Sequence, residues 1–336
     1  MHNYPRPYPS KKEWEADVTL RSRDTILVTG GCGFIGSALI RAIRSDYENV
    51  HIKVLDNLSH GVLPNIEGLN VELIEADILD AETINSALDN VDVVFNLAAL
   101  PFIPDSYQDP YSFFNVNGNG AAKLLVKVMA SKTRLFVHVS TCEVYGPAQN
   151  GPLQESHPTN PVSMYAASKL AAEKVAYALY EEHKLPVVII RSFNTYGPRD
   201  SYPRIIPELI RQLHKGGELR LGNIHVTRDF TYVEDMARGI LLAGTTSKAL
   251  GKVMNLCSGV ETSVEQLIAL VANLMGQNDY RISVEKARLR ASDLNSSWGD
   301  NTLAREIVGW KPEITLEDGL KRTIEWYKKT GKWQWE

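Results

Sequence analysis

Thr25-Ile26-Leu27-Val28-Thr29-Gly30-Gly31-Cys32-Gly33-Phe34-Ile35-Gly36 decides the fold. A short apolar, β-branched run breaks into a cluster of glycines and then into Ser37-Ala38-Leu39-Ile40-Arg41-Ala42-Ile43, which reads as helix. Glycines at 30, 33 and 36 allow a tight turn, a close approach of backbone to a pyrophosphate, and close packing of helix on strand. The helix start, Phe34 and Ile35 included, offers its N–H groups to phosphates. Read alone, such a cluster is also an ordinary structural turn. Here Asp56 ends the next apolar run, 20 positions after Gly36. A carboxylate there can accept both hydroxyls of an adenosine ribose and repels a 2′-phosphate. The stretch therefore predicts a dinucleotide site, for NAD rather than NADP.

The alternation continues outward. His51-Ile52-Lys53-Val54-Leu55, Val71-Glu72-Leu73-Ile74-Glu75 and Val91-Asp92-Val93-Val94-Phe95-Asn96 read as strands. So do Leu135-Phe136-Val137-His138-Val139 and Pro186-Val187-Val188-Ile189-Ile190, with helical segments separating most of them. Apolar strands alternating with helices predict an α/β fold, a parallel sheet covered on both faces. Asp77-Ile78 follows the third strand, where the pair can flank an adenine or Asp77 can cap a helix. Ala98-Ala99 are small residues past the fourth strand, where a dinucleotide must pass. Residues 1–24, polar and punctuated by proline, read as an N-terminal arm.

With 336 residues, 44% hydrophobic and 23% charged, the chain has material for a large core and predicts two domains. A net charge of −4 provides no basic stripe, which argues against nucleic acid as a partner. Cys32, Cys142 and Cys257 lie far apart, without metal-ligand spacing or an even count, so reduced thiols in a cytoplasmic setting are expected. His60, His138, His157 and His225 also lack metal spacing and read as structural, so no metal is expected. The opening residues show no apolar run of a signal peptide, and no stretch reads as a membrane span.

Tyr165 and Lys169 fall four apart on a predicted helix and share one face. A phenol with a pKa of about 10 is a poor base at neutral pH. A neighbouring ammonium and a positive nicotinamide ring favour the phenolate. Tyr165 can then take the proton of a substrate hydroxyl as the carbon beneath passes hydride to NAD, while Lys169 also holds the nicotinamide ribose. Elsewhere a Tyr-x-x-x-Lys pair is often a solvated helix pair. The glycine turn upstream favours the catalytic reading.

Taken together, Thr29-Gly-x-x-Gly-Phe-Ile-Gly36, Asp56-Asn57, Asn96-Leu-Ala-Ala99, Tyr165-x-x-x-Lys169 and Arg191-x-x-Asn194-x-Tyr-Gly-Pro198 resemble the extended short-chain dehydrogenase/reductases. Within these the resemblance is to the NAD-dependent epimerase/dehydratase family that acts on nucleotide sugars. It runs from about residue 25 to the C-terminus. It implies a Rossmann-type doubly wound parallel sheet over 25–198, with a return around 225–260, and a smaller C-terminal α/β domain, mainly 199–330, for the nucleotide sugar. It also implies Asn57 at the cofactor, and a homodimer built on helices around 109–131 and 162–183.

The same resemblance places Thr141 at the reacting hydroxyl, though a strand-end hydroxyl can equally cap local backbone. It draws attention to Glu143 in Ser140-Thr-Cys-Glu-Val-Tyr-Gly146. Members resembling 4-epimerases usually lack this carboxylate, whereas dehydratases carry it. Once C4 is a ketone the C5 proton is acidified; Glu143 can remove it, the C6 hydroxyl leaves with a proton, and hydride returns to C6. The bland alternative is a solvated loop acid. Cys142 stands where an aspartate would protonate the departing hydroxyl, and a thiol is a weak substitute. The stretch also resembles the tunicamycin-pathway 5,6-dehydratase.

The second half reads as a grip on the nucleotide sugar. By resemblance Asn194 faces the diphosphate or sugar, Arg228 and Arg290 bind phosphate, and Asp293 takes the nucleoside ribose. Each arginine singly can be a surface ion pair. Ser106, after the fourth strand, is a candidate contact to the sugar. Phe193-Asn-Thr-Tyr-Gly-Pro-Arg199 and Leu221-Gly-Asn-Ile-His-Val-Thr-Arg-Asp-Phe-Thr231 most resemble the UDP- or GDP-N-acetylglucosamine 4,6-dehydratases of the legionaminic acid pathway. The expectation is an NAD-dependent 4,6-dehydratase of a UDP- or other nucleoside-diphosphate hexose. A 4-epimerase, a 5,6-dehydratase and a uronate decarboxylase stay open, as does a non-catalytic NAD-binding regulator. The intact Thr141, Tyr165 and Lys169 speak against the last.

Overall fold

The computed structural model describes residues 20–147, 151–289 and 293–333. Seven parallel strands form one sheet: β1 (Thr25–Thr29), β2 (His51–Asp56), β3 (Glu72–Glu75), β4 (Val93–Asn96), β5 (Leu135–Thr141), β6 (Val187–Ser192) and β7 (Val253–Leu256). Their order across the sheet is β3-β2-β1-β4-β5-β6-β7, with every neighbouring pair parallel. This is the doubly wound arrangement, whose strand order reverses at β1.

The apolar strands earn their sequence by burying both faces. Ile26 and Val28 of β1, Val93 and Phe95 of β4, and Val188 and Ile190 of β6 enter one core. Leu27, Val94 and Val187, on the opposite pleats, enter another. The first core is closed by α1 (Phe34–Asp46) and the second by α2 (Ala121–Ala130) and α3 (Met164–His183).

A third core gathers the second half of the chain. It holds α4 (Ile205–Lys215), α6 (Val264–Met275) and α8 (Leu316–Thr330), with Leu209, Leu267 and Ile324 fully or nearly fully buried. The chain returns to the large sheet twice. The first return is α5 (Val233–Ala243) with β7; the second is α7 (Thr302–Val308) with Trp310, whose indole donates to the Asp235 carbonyl at 2.9 Å. Leu20 and Asp24, at the end of the stretch read as an arm, are buried, and Asp24 pairs with Arg134. Residues 1–19 lie outside the described residues.

The 109–131 stretch is not one regular helix. Pro110–Phe113 is α-helical, Phe114–Gly120 is π-helical, and α2 follows. Asn117 explains the break. Its amide donates to the Leu100 carbonyl (3.1 Å) and the Ser168 hydroxyl (3.1 Å), and accepts from the Leu100 N–H at 2.8 Å. The wide turn ties the segment after β4 to α3, beside the carboxyl edge of the sheet.

Candidate active site

A cleft of about 900 Å³ runs along that carboxyl edge and between the two halves of the chain. Its first wall is the glycine turn. Gly30 has φ +70°, and a Cβ there would stand 2.8 Å from the Ala98 nitrogen. A Cβ on Gly36 would stand 2.2 Å from the Gly30 carbonyl oxygen. Both positions accept only glycine, which lets α1 begin close against β1. No side chain caps α1 at Gly33, so the first-turn N–H groups of Phe34, Ile35 and Gly36 stay available at the cleft.

Asp56 ends β2 with 6% of its surface exposed. Its carboxylate accepts from the Cys32 and Leu58 N–H groups, both at 2.9 Å, and burial raises its pKa. Asn57 donates to Asp77 at 2.9 Å, and Asp77 accepts from the Leu79 N–H at 2.8 Å. Asp77 is therefore a turn residue; the cap of the Ala81–Ala87 helix is Asp80. Asp77, Ile78, Ala98 and Ala99 all line the cleft. The geometry and donors fit a dinucleotide: a glycine cradle, free helix N–H groups for phosphates, and a fixed carboxylate for a ribose.

The opposite wall carries Thr141, Glu143, Tyr165 and Lys169. Ser163 caps α3 by accepting the Ala166 N–H at 3.1 Å, which sets Tyr165 in the first turn and Lys169 in the second. The Tyr165 phenol is hydrogen-bonded to the Thr141 side chain, and Arg204 provides a nearby positive charge. Burial nevertheless pushes the Tyr165 pKa up to about 12, with Glu143 and Cys142 adding to the rise. Lys169 is 3% exposed and donates to the Val139 carbonyl at 2.6 Å. Burial lowers its pKa to about 8, against the pull of Glu173.

Behind these groups, Ala98 N–H donates to the Thr29 hydroxyl (3.2 Å), that hydroxyl to Asn96 Oδ1 (2.7 Å), and the Asn96 side-chain amide nitrogen to His138 Nδ1 (3.1 Å). Burial, and then the Lys169 charge, hold His138 well below its usual pKa, so its imidazole is neutral.

Thr141 ends β5 and accepts the Glu143 N–H at 3.3 Å, starting the short Cys142–Tyr145 helical turn. Glu143 is half-buried and lines the cleft. Cys142 also reaches the cleft wall, but it is 3% exposed and belongs to a small cluster with Tyr145, Leu153, Phe193 and Cys257. The Ser297 hydroxyl donates to its sulfur at 3.9 Å. Burial first, and Glu143 second, raise the thiol far above its usual pKa.

On the far side, Asn194 faces the cleft with a buried side-chain nitrogen that has no hydrogen-bond partner. Arg228 pairs with Asp293 at 2.8 Å and donates to the Thr227 and Leu294 carbonyls at 2.8 and 2.7 Å; both charged groups line the cleft. Ser106 is not brought to the site. It is buried and its hydroxyl bonds back to the Ile103 carbonyl at 2.7 Å, a helical turn satisfying itself. Arg290 lies outside the described residues.

The sequence reading took His60 as structural and passed over Phe102, Tyr202, Arg204, Glu208 and Arg288; all six line the cleft. The one available signal was position: Arg204 is the residue just before α4. Among the described residues no group of three His, Cys, Asp or Glu could hold a metal, and no helix is long and apolar enough to cross a membrane.

The sequence model of the GDP-mannose 4,6 dehydratase family matches residues 27–323. The human dTDP-D-glucose 4,6-dehydratase is 32% identical over 314 residues, covering 90% of this chain and 89% of that protein. The UDP-glucose 4-epimerase of Mycolicibacterium smegmatis is 32% identical over 312 residues, covering 90% and 98%. Among solved structures, DesIV, a dTDP-glucose 4,6-dehydratase of Streptomyces venezuelae with NAD and TYD bound, superposes with a TM-score of 0.86 at 30% identity, covering 93% of this chain and 99% of that one. The match spans both the dinucleotide wall and the wall bearing Tyr165 and Lys169. This chain belongs to the GDP-mannose 4,6 dehydratase family and, with it, to the extended short-chain dehydrogenase/reductases that work on nucleotide sugars as dehydratases and epimerases.

Proposed function

We propose that this chain is an NAD-dependent nucleotide-sugar 4,6-dehydratase. The observation that carries the reading is Glu143, a half-buried carboxylate in the turn that Thr141 starts and close enough to Tyr165 to raise its pKa. Gly30, Gly33, Phe34, Ile35, Gly36, Asp56, Asn57, Asp77, Ile78, Ala98 and Ala99 would hold NAD, which when bound would supply reversible hydride acceptance between sugar C4 and C6. Tyr165 takes the C4 hydroxyl proton, with Thr141 orienting that hydroxyl and Lys169 supplying positive charge. Glu143 removes the C5 proton and passes a proton to the departing C6 hydroxyl, which leaves as water. As C6 regains hydride a solvent-derived proton returns to C5 through Glu143, and the proton taken by Tyr165 goes back to solvent. We assign Cys142 no proton transfer, since a thiol so buried is too weak an acid.

Asn194, Arg228 and Asp293 supply the nucleotide-sugar grip, together with Arg290. The division into an NAD half and a substrate half follows the separate cores on either side of the cleft. A second copy of the chain is the natural cover for Tyr111, Phe114 and Tyr177, which are 76%, 41% and 51% exposed on the 109–131 segment and α3. A 4-epimerase reading has the support of the M. smegmatis relative but leaves Glu143 idle.

The test is incubation of the NAD-loaded protein with UDP-, dTDP- and GDP-linked hexoses in heavy water. Loss of one water with solvent deuterium at C5 and hydride at C6 is the expected result. Conversion without mass loss would mean epimerisation. Loss of carbon dioxide from a uronate would mean decarboxylation.

A further inference from the structure

Three loops meet where the two halves of the chain face each other. Residues 57–61 follow β2, residues 97–102 follow β4, and residues 199–204 open the substrate half. Each contributes a ring. His60 and Tyr202 have centroids 5.4 Å apart at 50°, and Phe102 and Tyr202 have centroids 5.7 Å apart at 30°. The Arg204 guanidinium sits over the Tyr202 ring, 4.9 Å from its centre. All four side chains line the cleft.

Tyr202 is presented by a built turn. Arg199 takes a left-handed φ of +73°, and the buried Asp200 accepts from the Tyr202 N–H at 3.3 Å and from Arg204 at 2.5 Å. The Tyr202 hydroxyl is buried without a hydrogen-bond partner, an open place for a ligand oxygen. His60 stands four residues past Asp56 and Phe102 four past Ala98, so the two ring contacts through Tyr202 join the loop after β2 to the loop after β4.

We propose that His60, Phe102 and Tyr202 form an aromatic clasp that holds bound NAD in the cleft and stops it exchanging with solution. The need for such a clasp rests on the dehydratase reading, in which the hydride leaves C4 and must be returned within the same turnover. Cofactor lost in the reduced form would strand a ketone. A dinucleotide reaching from Asp56 through the glycine turn to Tyr165 occupies the cleft that these loops close, and release requires the rings to part.

Release of NAD tests this without any sugar. The protein is loaded with NAD, freed of excess by gel filtration, and mixed with ethanol and excess alcohol dehydrogenase, which converts each released NAD to fluorescent NADH. The parent is expected to release slowly and Tyr202→Ala at least about tenfold faster, since two ring contacts are lost. Phe102→Ala and His60→Ala, losing one contact each, fall in between, as does Tyr202→Phe, which keeps the ring. Thermal melts of the apo proteins check that each variant is folded. Release from Tyr202→Ala at the parent's rate, or from Tyr202→Phe as fast as from Tyr202→Ala, overturns the clasp alone. A parent that retains no NAD overturns the clasp and the cofactor reading together, whereas retained NAD with no sugar turnover leaves the clasp standing and counts against the dehydratase reading.

Discussion

Lys169 and Glu173 lie one helical turn apart on α3, both almost fully buried, and they answer to different partners. Lys169 reaches the Val139 carbonyl at the cleft, while Glu173 turns away to Arg191, with contacts of 2.8 and 3.2 Å, and to the Ser140 hydroxyl. Glu173 is thus a neighbour that raises the ammonium's pKa without neutralising it directly. It is a positioning residue, and its effect is read through Lys169.

Replacing Glu173 with Gln removes that pull and leaves the Arg191 charge unbalanced, and both changes lower the Lys169 pKa below about 8. Under the proposed mechanism turnover needs the protonated lysine, so the alkaline limb of the kcat profile is expected to shift to lower pH. A purely structural role for Glu173 predicts lower activity at every pH with no movement of the limb. The stability cost of breaking a buried ion pair is about 3–5 kcal/mol when a partner is deleted outright, so Gln is preferred to Ala.

Lys169 itself makes a prediction about stability. Its folded pKa, about 8, lies below its ordinary 10.5, so between those values the unfolded chain binds the extra proton. Stability from this group therefore rises as pH rises through that window. Lys169→Met removes the buried charge and flattens the dependence. Chemical denaturation of both proteins at pH 8 and pH 10 is expected to show the parent gaining more than the variant, by an amount on the order of 1–3 kcal/mol. An equal gain in both would assign the buried ammonium no cost.

Glu143→Gln separates oxidation from elimination. Tyr165, Thr141 and Lys169 remain, so the sugar can still be oxidised and reduced-nicotinamide absorbance is expected to build up. Water loss and deuterium entry at C5 are expected to fall by about 100- to 10,000-fold, the range for a lost general base. Retained deuterium exchange in this variant would remove Glu143 from the C5 proton transfer.

Much of this site was legible because it depends on local geometry. The glycines at 30 and 36 are required by backbone approaches that no side chain permits, so a sequence shows them directly. Tyr165 and Lys169 were equally visible, since a helix fixes their common face. Ser106 was misplaced because nothing in its sequence neighbourhood shows that its hydroxyl closes on Ile103. Phe102 and Tyr202 were missed, and His60 was read only as structural, for the opposite reason. Their meaning comes from three loops distant in sequence, and no periodicity registers that meeting. Asn117 belongs with them: the 109–131 stretch reads as continuous helix until Leu100 is placed beside it.

Asp56 is expected to set the choice of dinucleotide. Both its oxygens are already fixed by N–H groups of Cys32 and Leu58, so the carboxylate cannot swing aside for a 2′-phosphate. The parent is expected to bind NAD in preference to NADP. Asp56→Asn keeps an acceptor for the loop and removes the charge. It is expected to weaken NAD about tenfold or more, the value of charged hydrogen bonds, and to narrow the gap to NADP. Calorimetric titration with each dinucleotide decides this; an unchanged NAD-to-NADP ratio would take discrimination away from Asp56.

Asn194 offers a test that separates binding from folding. It opens the short strand Asn194–Tyr196, which pairs with Phe230–Tyr232, and the backbone pairing Asn194↔Phe230 does not depend on its side chain. Its amide nitrogen is buried without a partner, so the free protein carries the desolvation of a polar group with nothing in return. A sugar or phosphate oxygen in the cleft would satisfy it. Asn194→Ala is therefore expected to leave the Tm of the NAD-bound protein unchanged or slightly higher, while nucleotide-sugar affinity falls about tenfold. The two readouts must move apart for the assignment to stand. A variant that loses stability and affinity together would mean that the amide supports the strand pair, and the substrate contact would have to be sought at Arg228 and Asp293 instead.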